Sequence, residues 1–187
     1  MAKRLTKIFT RTGDDGTTGL ADGTRLPKDS PRVEAMGMLD ELNSQLGVLR
    51  ACGLPGDIDR ELAEIQQRCF DAGGELALPG QVMLTDEHVA RVESWLVAHN
   101  GSLPPLKEFI LPGGGMAAAQ CHLARAVCRR TERSLWHLAR EQETNPLLLV
   151  WLNRLSDLLF VHARILGRLA SAEEVEWRHE PPDAINR

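Results

Sequence analysis

Tyrosine is absent from this 187-residue chain, and aromatic residues make up only 4% of it. Composition therefore announces no aromatic-lined ligand site. Long apolar runs are missing as well. The longest wholly apolar stretch is Leu147 to Leu152, far below the roughly 18 residues of a membrane span. The basic opening Met1 to Lys7 has no apolar segment behind it, so no secretory signal is expected and the chain reads as cytoplasmic. The four cysteines lack any C-x-x-C spacing, which leaves a zinc site or a thioredoxin-type motif unsupported. Cys69, Cys121 and Cys128 fall on predicted apolar helix stripes, where a reduced thiol packs as a small hydrophobe. A surplus of positive charge is also lacking: the net charge of −4 argues against a general nucleic-acid binder.

What the chain does have is helical periodicity. Its length fits one domain, residues 1–187, able to bury roughly 70% of its unfolded surface without a disulfide or metal. Hydrophobic residues at 43% and charged residues at 26% are those of a globular protein. Residues 1–29, crowded with Gly, Thr and Asp, read as a loop with short strands at most around Lys7 to Thr10. Ser30-Pro31 supplies an N-cap and a proline at the first helical position. Leu39, Leu42, Leu46 and Leu49 then mark a first helix ending near Cys52-Gly53. A second runs from about Asp57, with Ile58, Leu62, Ile65, Cys69, Ala72 and Leu76 inward, and stops at Pro79-Gly80. Thr85 caps a third, with Asp86 and Glu87 where the helix dipole favours them and Val89, Val92, Trp95 and Leu96 inward; Asn100-Gly101 ends it.

A fourth helix is expected over about Met116 to Glu143, with Ala117, Cys121, Ala124, Cys128, Thr131, Leu135 and Leu138 inward. These small residues predict a closely approaching neighbour. Asn145-Pro146 opens a fifth, whose stripe is Leu148, Leu152, Leu155, Leu159, His162, Leu166 and Leu169. The expected fold class is all-α, a five-helix antiparallel bundle over 30–170 with an N-terminal ligand-binding loop over 1–29. Residues 171–187, acidic and Pro-containing, are expected to form a flexible or lid-like tail.

Charge is unevenly spread. Asp57 to Glu93 holds nine acids against three arginines, whereas Gln120 to Arg140 holds five arginines against one glutamate. An anionic ligand is therefore sought on the fourth helix. There His122, Arg125, Arg129 and Glu132 follow 3–4–3 spacing and share a face, with Arg130 and Arg133 beside it. Such a face is ordinarily just solvated. Arginine without lysine, and with one local carboxylate, equally suits phosphate oxygens. The fifth helix carries Asn153, Ser156, Asp157, Phe160 and Arg164 at similar spacing. The first carries Gly37, Asp40, Asn43, Ser44 and Gly47. The loop Thr10 to Gly19 has the composition of a phosphate cradle, or of a simple hairpin turn at Asp15-Gly16.

Other chemistries lack their residues. There is no G-x-x-x-x-G-K-[ST] and no G-x-S-x-G, which excludes a Walker-type loop and a nucleophile elbow. A di-iron bundle requires paired E-x-x-H motifs, and only Glu176 to His179 in the tail fits. The reactive atom would then belong to a bound molecule rather than to the protein.

Thr10-Arg11-Thr12-Gly13-Asp14-Asp15-Gly16, then Pro27-Lys28-Asp29 and Val33 to Asn43 (VEAMGMLDELN), followed by Phe109-Ile110-Leu111-Pro112-Gly113-Gly114, Ala124 to Arg133 (ARAVCRRTER) and Leu152 to Asp157 (LNRLSD), form an ordered set. It resembles the PduO-type ATP:cob(I)alamin adenosyltransferases from residue 7 to about residue 168. The resemblance implies a homotrimer with active sites at subunit interfaces. It also implies transfer of the 5′-deoxyadenosyl group of ATP to cob(I)alamin, with release of triphosphate. By this similarity Thr10, Arg11, Thr12, Gly13, Thr18, Gly19 and Lys28 fold over ATP. Arg129, Arg130, Glu132, Arg133 and Asn153 hold it, with Mg2+. Asp40 of one subunit pairs with Arg125 of its neighbour, and these two act with Arg129 in catalysis. Phe109 and Phe160 face the corrin, and no protein metal site is implied. A Co(II) reductase and a B12-dependent acceptor enzyme are possible partners; nucleic acid and membrane are not. The alternative is a non-catalytic nucleotide-binding helical scaffold trimer.

Overall fold

The computed structural model describes residues 11–178. Five helices occur among them: α1 Pro31–Arg50, α2 Gly56–Ala77, α3 Asp86–Asn100, α4 Met116–Glu141 and α5 Pro146–Leu169. Cross-links fix their directions. Arg50 on α1 reaches Asp59 near the start of α2, and Thr131 of α4 donates to the Met38 carbonyl of α1 at 3.0 Å. Glu61 meets both His99 of α3 and His162 of α5. Successive helices therefore run up and down, as short connections require.

The core is the sum of the predicted stripes. Leu39, Leu42, Leu46 and Leu49 of α1 and Ile58, Leu62, Ile65, Cys69, Ala72 and Leu76 of α2 are all buried. α4 approaches α5 closely because its seam is built of small residues. The Cys121 and Cys128 thiols donate to the Leu159 and Leu152 carbonyls of α5 at 3.1 and 3.3 Å. Burial pushes the Cys69 and Cys121 thiols up to about 12, so they pack and do not react. α5 is long and apolar enough to cross a membrane, but it is a core helix: Leu149, Trp151, Leu158 and Val161 are buried alongside its predicted stripe.

Several boundaries and faces differ from expectation. A two-stranded antiparallel sheet, β1 Thr17–Gly19 and β2 Arg25–Pro27, stands where a plain loop was expected. Its tip is Leu20 to Thr24, with Gly23 at φ +89. Lys7 to Thr10 lie outside the described residues. Asp15-Gly16 forms a separate turn in which Asp15 accepts the Thr17 backbone N–H and hydroxyl. Ser30 has extended cap dihedrals, but its hydroxyl makes no capping bond and is buried without a partner; Pro31 starts the helix instead. Gly101 ends α3 in a right-handed conformation. α4 stops at Glu141, where Gln142 turns to accept from Arg32 at 2.9 Å. Ala118 rather than Ala117 enters the core, and Leu169 is exposed.

Glu61, His99 and His162 form a polar cross-link that no periodicity announces, since they come from three helices. Burial works against the Glu61 carboxylate, but hydrogen bonds from His162 and His99 outweigh it and hold its pKa below the ordinary value. The imidazole–carboxylate distances of 2.9–3.0 Å are those of hydrogen bonds. Burial also lowers the pKa of His162, against the pull of Glu61. The unfolded chain therefore binds a proton that the folded chain resists. The stabilisation is complete above the ordinary histidine value of about 6.5 and fades as pH falls through the depressed one. The melting temperature is expected to drop on acidification from about pH 7.5 to about 5.5. The drop should be smaller in His162→Gln, measured by thermal denaturation.

Candidate active site

The fourth-helix arginine face and the two phenylalanines meet in one cavity of about 670 Å³. Its walls come from the end of α3, the Phe109–Ile110 segment, the first half of α4 and the middle of α5. Phe109 stands at the mouth, 77% exposed, and Phe160 lies inside. Arg125 and Arg129, one helical turn apart, present their charge to the same space, and Asp157 is the acidic group on the opposite wall.

Two polar groups in this cavity are unsatisfied. Arg125 lies with its guanidinium carbon 5.9 Å from the centroid of Phe160, within cation–π range, and its Nε is buried without a hydrogen-bond partner. Burial and then the neighbouring charge of Arg129 lower its pKa, but an arginine remains charged at pH 7. His122 was expected on the open polar face and is instead buried. Its ring sits edge-on to Phe160 with centroids 6.1 Å apart, and its Nδ1 also lacks a partner. Burial first, and the Arg125 charge second, hold its pKa below the ordinary value. The imidazole is therefore neutral and the positive charge of the cavity resides in the two arginines. Unpaired buried polar groups are expensive, and an anionic or oxygen-rich occupant would satisfy the Arg125 Nε–H donor.

Further along α4, Glu132 accepts from Asn153 at 3.4 Å, and Asn153 accepts from Arg154 at 2.9 Å. Arg133 donates to the Arg129 carbonyl at 3.0 Å. Arg130 points toward α1, where it pairs with Glu41. Arg129, Glu132, Arg133 and Asn153 thus share one side, with Arg130 turned off it. Arg164, grouped in the sequence with Asn153 and Phe160, is buried in an ion pair with Glu174 instead. On α3, Leu96 of the predicted inward stripe lines the cavity together with Val97 and Asn100, and Val97 lies off that stripe, so periodicity did not mark it.

The predicted nucleotide loop is ordered but remote. Arg25 holds it, donating to the Thr12 carbonyl and to the Thr17 hydroxyl, and Lys28 Nζ lies 3.2 Å from where a Cβ on Gly13 would stand. Arg11 adopts φ +59. Thr18 and Gly19 lie in β1, and Thr10 lies outside the described residues. The Ala21 N–H donates to the Ala77 carbonyl at the end of α2, and Arg32 bridges the adjoining Leu76 carbonyl to Gln142 just past α4, which puts the hairpin toward that end of the bundle. Thirteen residues separate Gln142 from Arg129, about 20 Å along the helix. Asp40 is exposed on α1, and no contact joins it to Arg125 among the described residues.

Most of the chain matches proteins of one kind. Residues 8–166 match the Cobalamin adenosyltransferase family. The chain belongs to this family. A Cobalamin adenosyltransferase of Cupriavidus metallidurans is 50% identical over 181 residues, covering 96% of this chain and 98% of that one. A corrinoid adenosyltransferase of Bacillus subtilis is 43% identical, covering 91% and 92%. Among solved structures, a variant PduO-type ATP:corrinoid adenosyltransferase from Lactobacillus reuteri, complexed with cobalamin and ATP, superposes with a TM-score of 0.87. It shows 35% identity over 92% of this chain and all of that chain.

In this cobalamin adenosyltransferase family member the Phe109 segment ends in a glycine run that allows close packing. Gly114, at φ +90, would place a Cβ 3.1 Å from the Gly167 backbone of α5. Gly114→Ala combines a positive φ with that clash and should cost about 2 kcal/mol or more of stability. Denaturant unfolding checks this, and Gly113→Ala, which meets no neighbour within 4 Å, is the milder control.

Proposed function

We propose that this chain transfers the 5′-deoxyadenosyl group of ATP to cob(I)alamin, in sites completed between copies of itself. The carrying observation is the cavity in which Phe109 and Phe160 meet Arg125 and Arg129. An apolar, aromatic wall suits the face of a corrin, and two arginines suit a polyphosphate. Cobalt(I) of the substrate is the nucleophile. Its electron pair forms the Co–C5′ bond while the C5′–O bond breaks, and triphosphate leaves with the bonding pair. The protein supplies no nucleophile and no general base. It aligns C5′ with cobalt and stabilises the charge that gathers on the leaving group.

Arg129 serves the second task, with Arg133 and Asn153 beside it. Arg130, engaged by Glu41, is the flank of this group. Glu132 keeps oxygen-donor capacity beyond its bond to Asn153, and a magnesium ion entering with the triphosphate requires oxygen ligands. Phe109 would keep a lower axial ligand off cobalt, easing reduction of Co(II).

The interfacial arrangement answers the 20 Å gap. The described part of the loop, Arg11 to Lys28, is anchored at the end of α2 through Ala21, toward the opposite end of α4 from the cavity, and in this reading a neighbouring copy supplies it, in a homotrimer. Asp40 of that neighbour would supply the carboxylate that Arg125 lacks. An exposed stripe on α4, with Met116 70% and Leu123 50% exposed, offers apolar surface for such a contact. The chain is cytoplasmic in this reading, and a Co(II) reductase and a B12-dependent acceptor are its expected partners.

Supplied with ATP, Mg2+ and chemically reduced cobalamin, the protein should convert the corrin spectrum to that of adenosylcobalamin. A folded protein that leaves the spectrum unchanged would favour a nucleotide-binding scaffold. Arg129→Ala should lower kcat/KM about 100-fold or more, as loss of a charge-stabilising donor does; unaltered ATP affinity and turnover would remove the phosphate role. Phe109→Ala should lose activity chiefly with cob(II)alamin plus reductant, and full activity there would remove the axial-ligand role.

A further inference from the structure

Arg164 has no place in the cavity, yet it is a charge with only 4% of its side chain exposed. Its Nε donates to Glu174 at 2.7 Å, and its Nη2 donates both to Glu174 at 3.3 Å and to the Pro104 carbonyl at 2.9 Å. Arg168 reaches the same carboxylate at 3.4 Å. Just beyond Glu174 the chain runs antiparallel to the Phe109 segment. The Leu111 N–H donates to the Val175 carbonyl at 2.8 Å, and the Trp177 N–H donates to the Phe109 carbonyl at 2.7 Å. Ile110 bridges Glu176 between them. One buried guanidinium therefore fastens α5 to the segment leading into Phe109 and to the strand that pairs with it.

That arrangement is costly unless the fork is satisfied, and the planar geometry of arginine meets it on both sides. Phe109 itself is largely exposed and has little packing to hold it, so its position depends on the backbone pairs on either side. The Arg164 hydrogen bond holds the Glu174 carboxyl below the usual carboxylate value, against burial, so both partners are charged at neutral pH.

We propose that the Arg164–Glu174 ion pair is a positioning device for Phe109, clamping residues 174–177 onto residues 109–111 and so setting the aromatic wall that the corrin meets. The proposal deepens the transferase reading and rests on it. Arg164 and Glu174 touch no substrate in this account; they act through Phe109.

The test uses the full chain and Glu174→Gln, which keeps side-chain size and removes the charge. Backbone hydrogen exchange at residues 109–111 and 174–177 should speed up about tenfold while the helical core keeps its protection. The KM for cobalamin should rise about tenfold with the KM for ATP nearly unchanged. Arg164→Lys, which keeps the charge without the fork, should show the same split to a smaller degree. Unchanged exchange in both segments would overturn the clamp. Faster exchange with unchanged cobalamin kinetics, or equal increases in the KM for cobalamin and ATP, would overturn the positioning role. Failure of the underlying reading shows separately, as wild-type protein that makes no adenosylcobalamin, and the exchange comparison then still decides the clamp.

Discussion

Arg125 sets the terms for the rest of this molecule. Its guanidinium is partly withdrawn from water, lies against Phe160 and leaves Nε unpaired. Among the described residues no carboxylate forms an ion pair with it, although Asp157 lines the same cavity. A charge in that position is tolerable only if something else completes its surroundings. The neighbouring Arg129 adds like charge, and burial, with the Arg125 charge beside it, keeps His122 neutral. The cavity is thus suited to anions and oxygen-rich groups, and under the proposed function a neighbouring copy completes it.

The second half of the machinery lies at the other end of the bundle. Arg32 ties α1 to Gln142 and to the Leu76 carbonyl, fixing the Thr17–Pro27 hairpin at the far end of α4. The 26 residues of α4 carry Arg129 toward the other end of the bundle from the hairpin's anchor. In the proposed assembly of copies side by side, each copy would lend its loop to the cavity of the next. Such an assembly would offset the small size of a 187-residue chain that must enclose both a nucleotide and a corrin.

The stripes of α1, α2, α4 and α5 could be read from the sequence because leucine and cysteine periodicity is a direct consequence of helix geometry. The arginine face of α4 could be read for the same reason. His122 was misplaced because its position at the edge of that face is open or buried depending on α5, which periodicity does not see. The Glu61–His99–His162 link and the Arg164–Glu174 pair were invisible, since each joins residues by tertiary packing alone. The hairpin was hidden by strands of three residues, too short to show alternation. Family resemblance supplied the expectation that Asp40 pairs with Arg125 across an interface, which local pattern could not.

The account turns on the claim that Arg125 is completed by Asp40 of another copy. Mixing Asp40→Ala and Arg125→Ala chains, each inactive alone, tests it most directly. In mixed oligomers, an Arg125 from the first chain can face an Asp40 from the second, and the account predicts that adenosylcobalamin formation returns in part. Mixed oligomers that form but stay as inactive as either variant alone would contradict it.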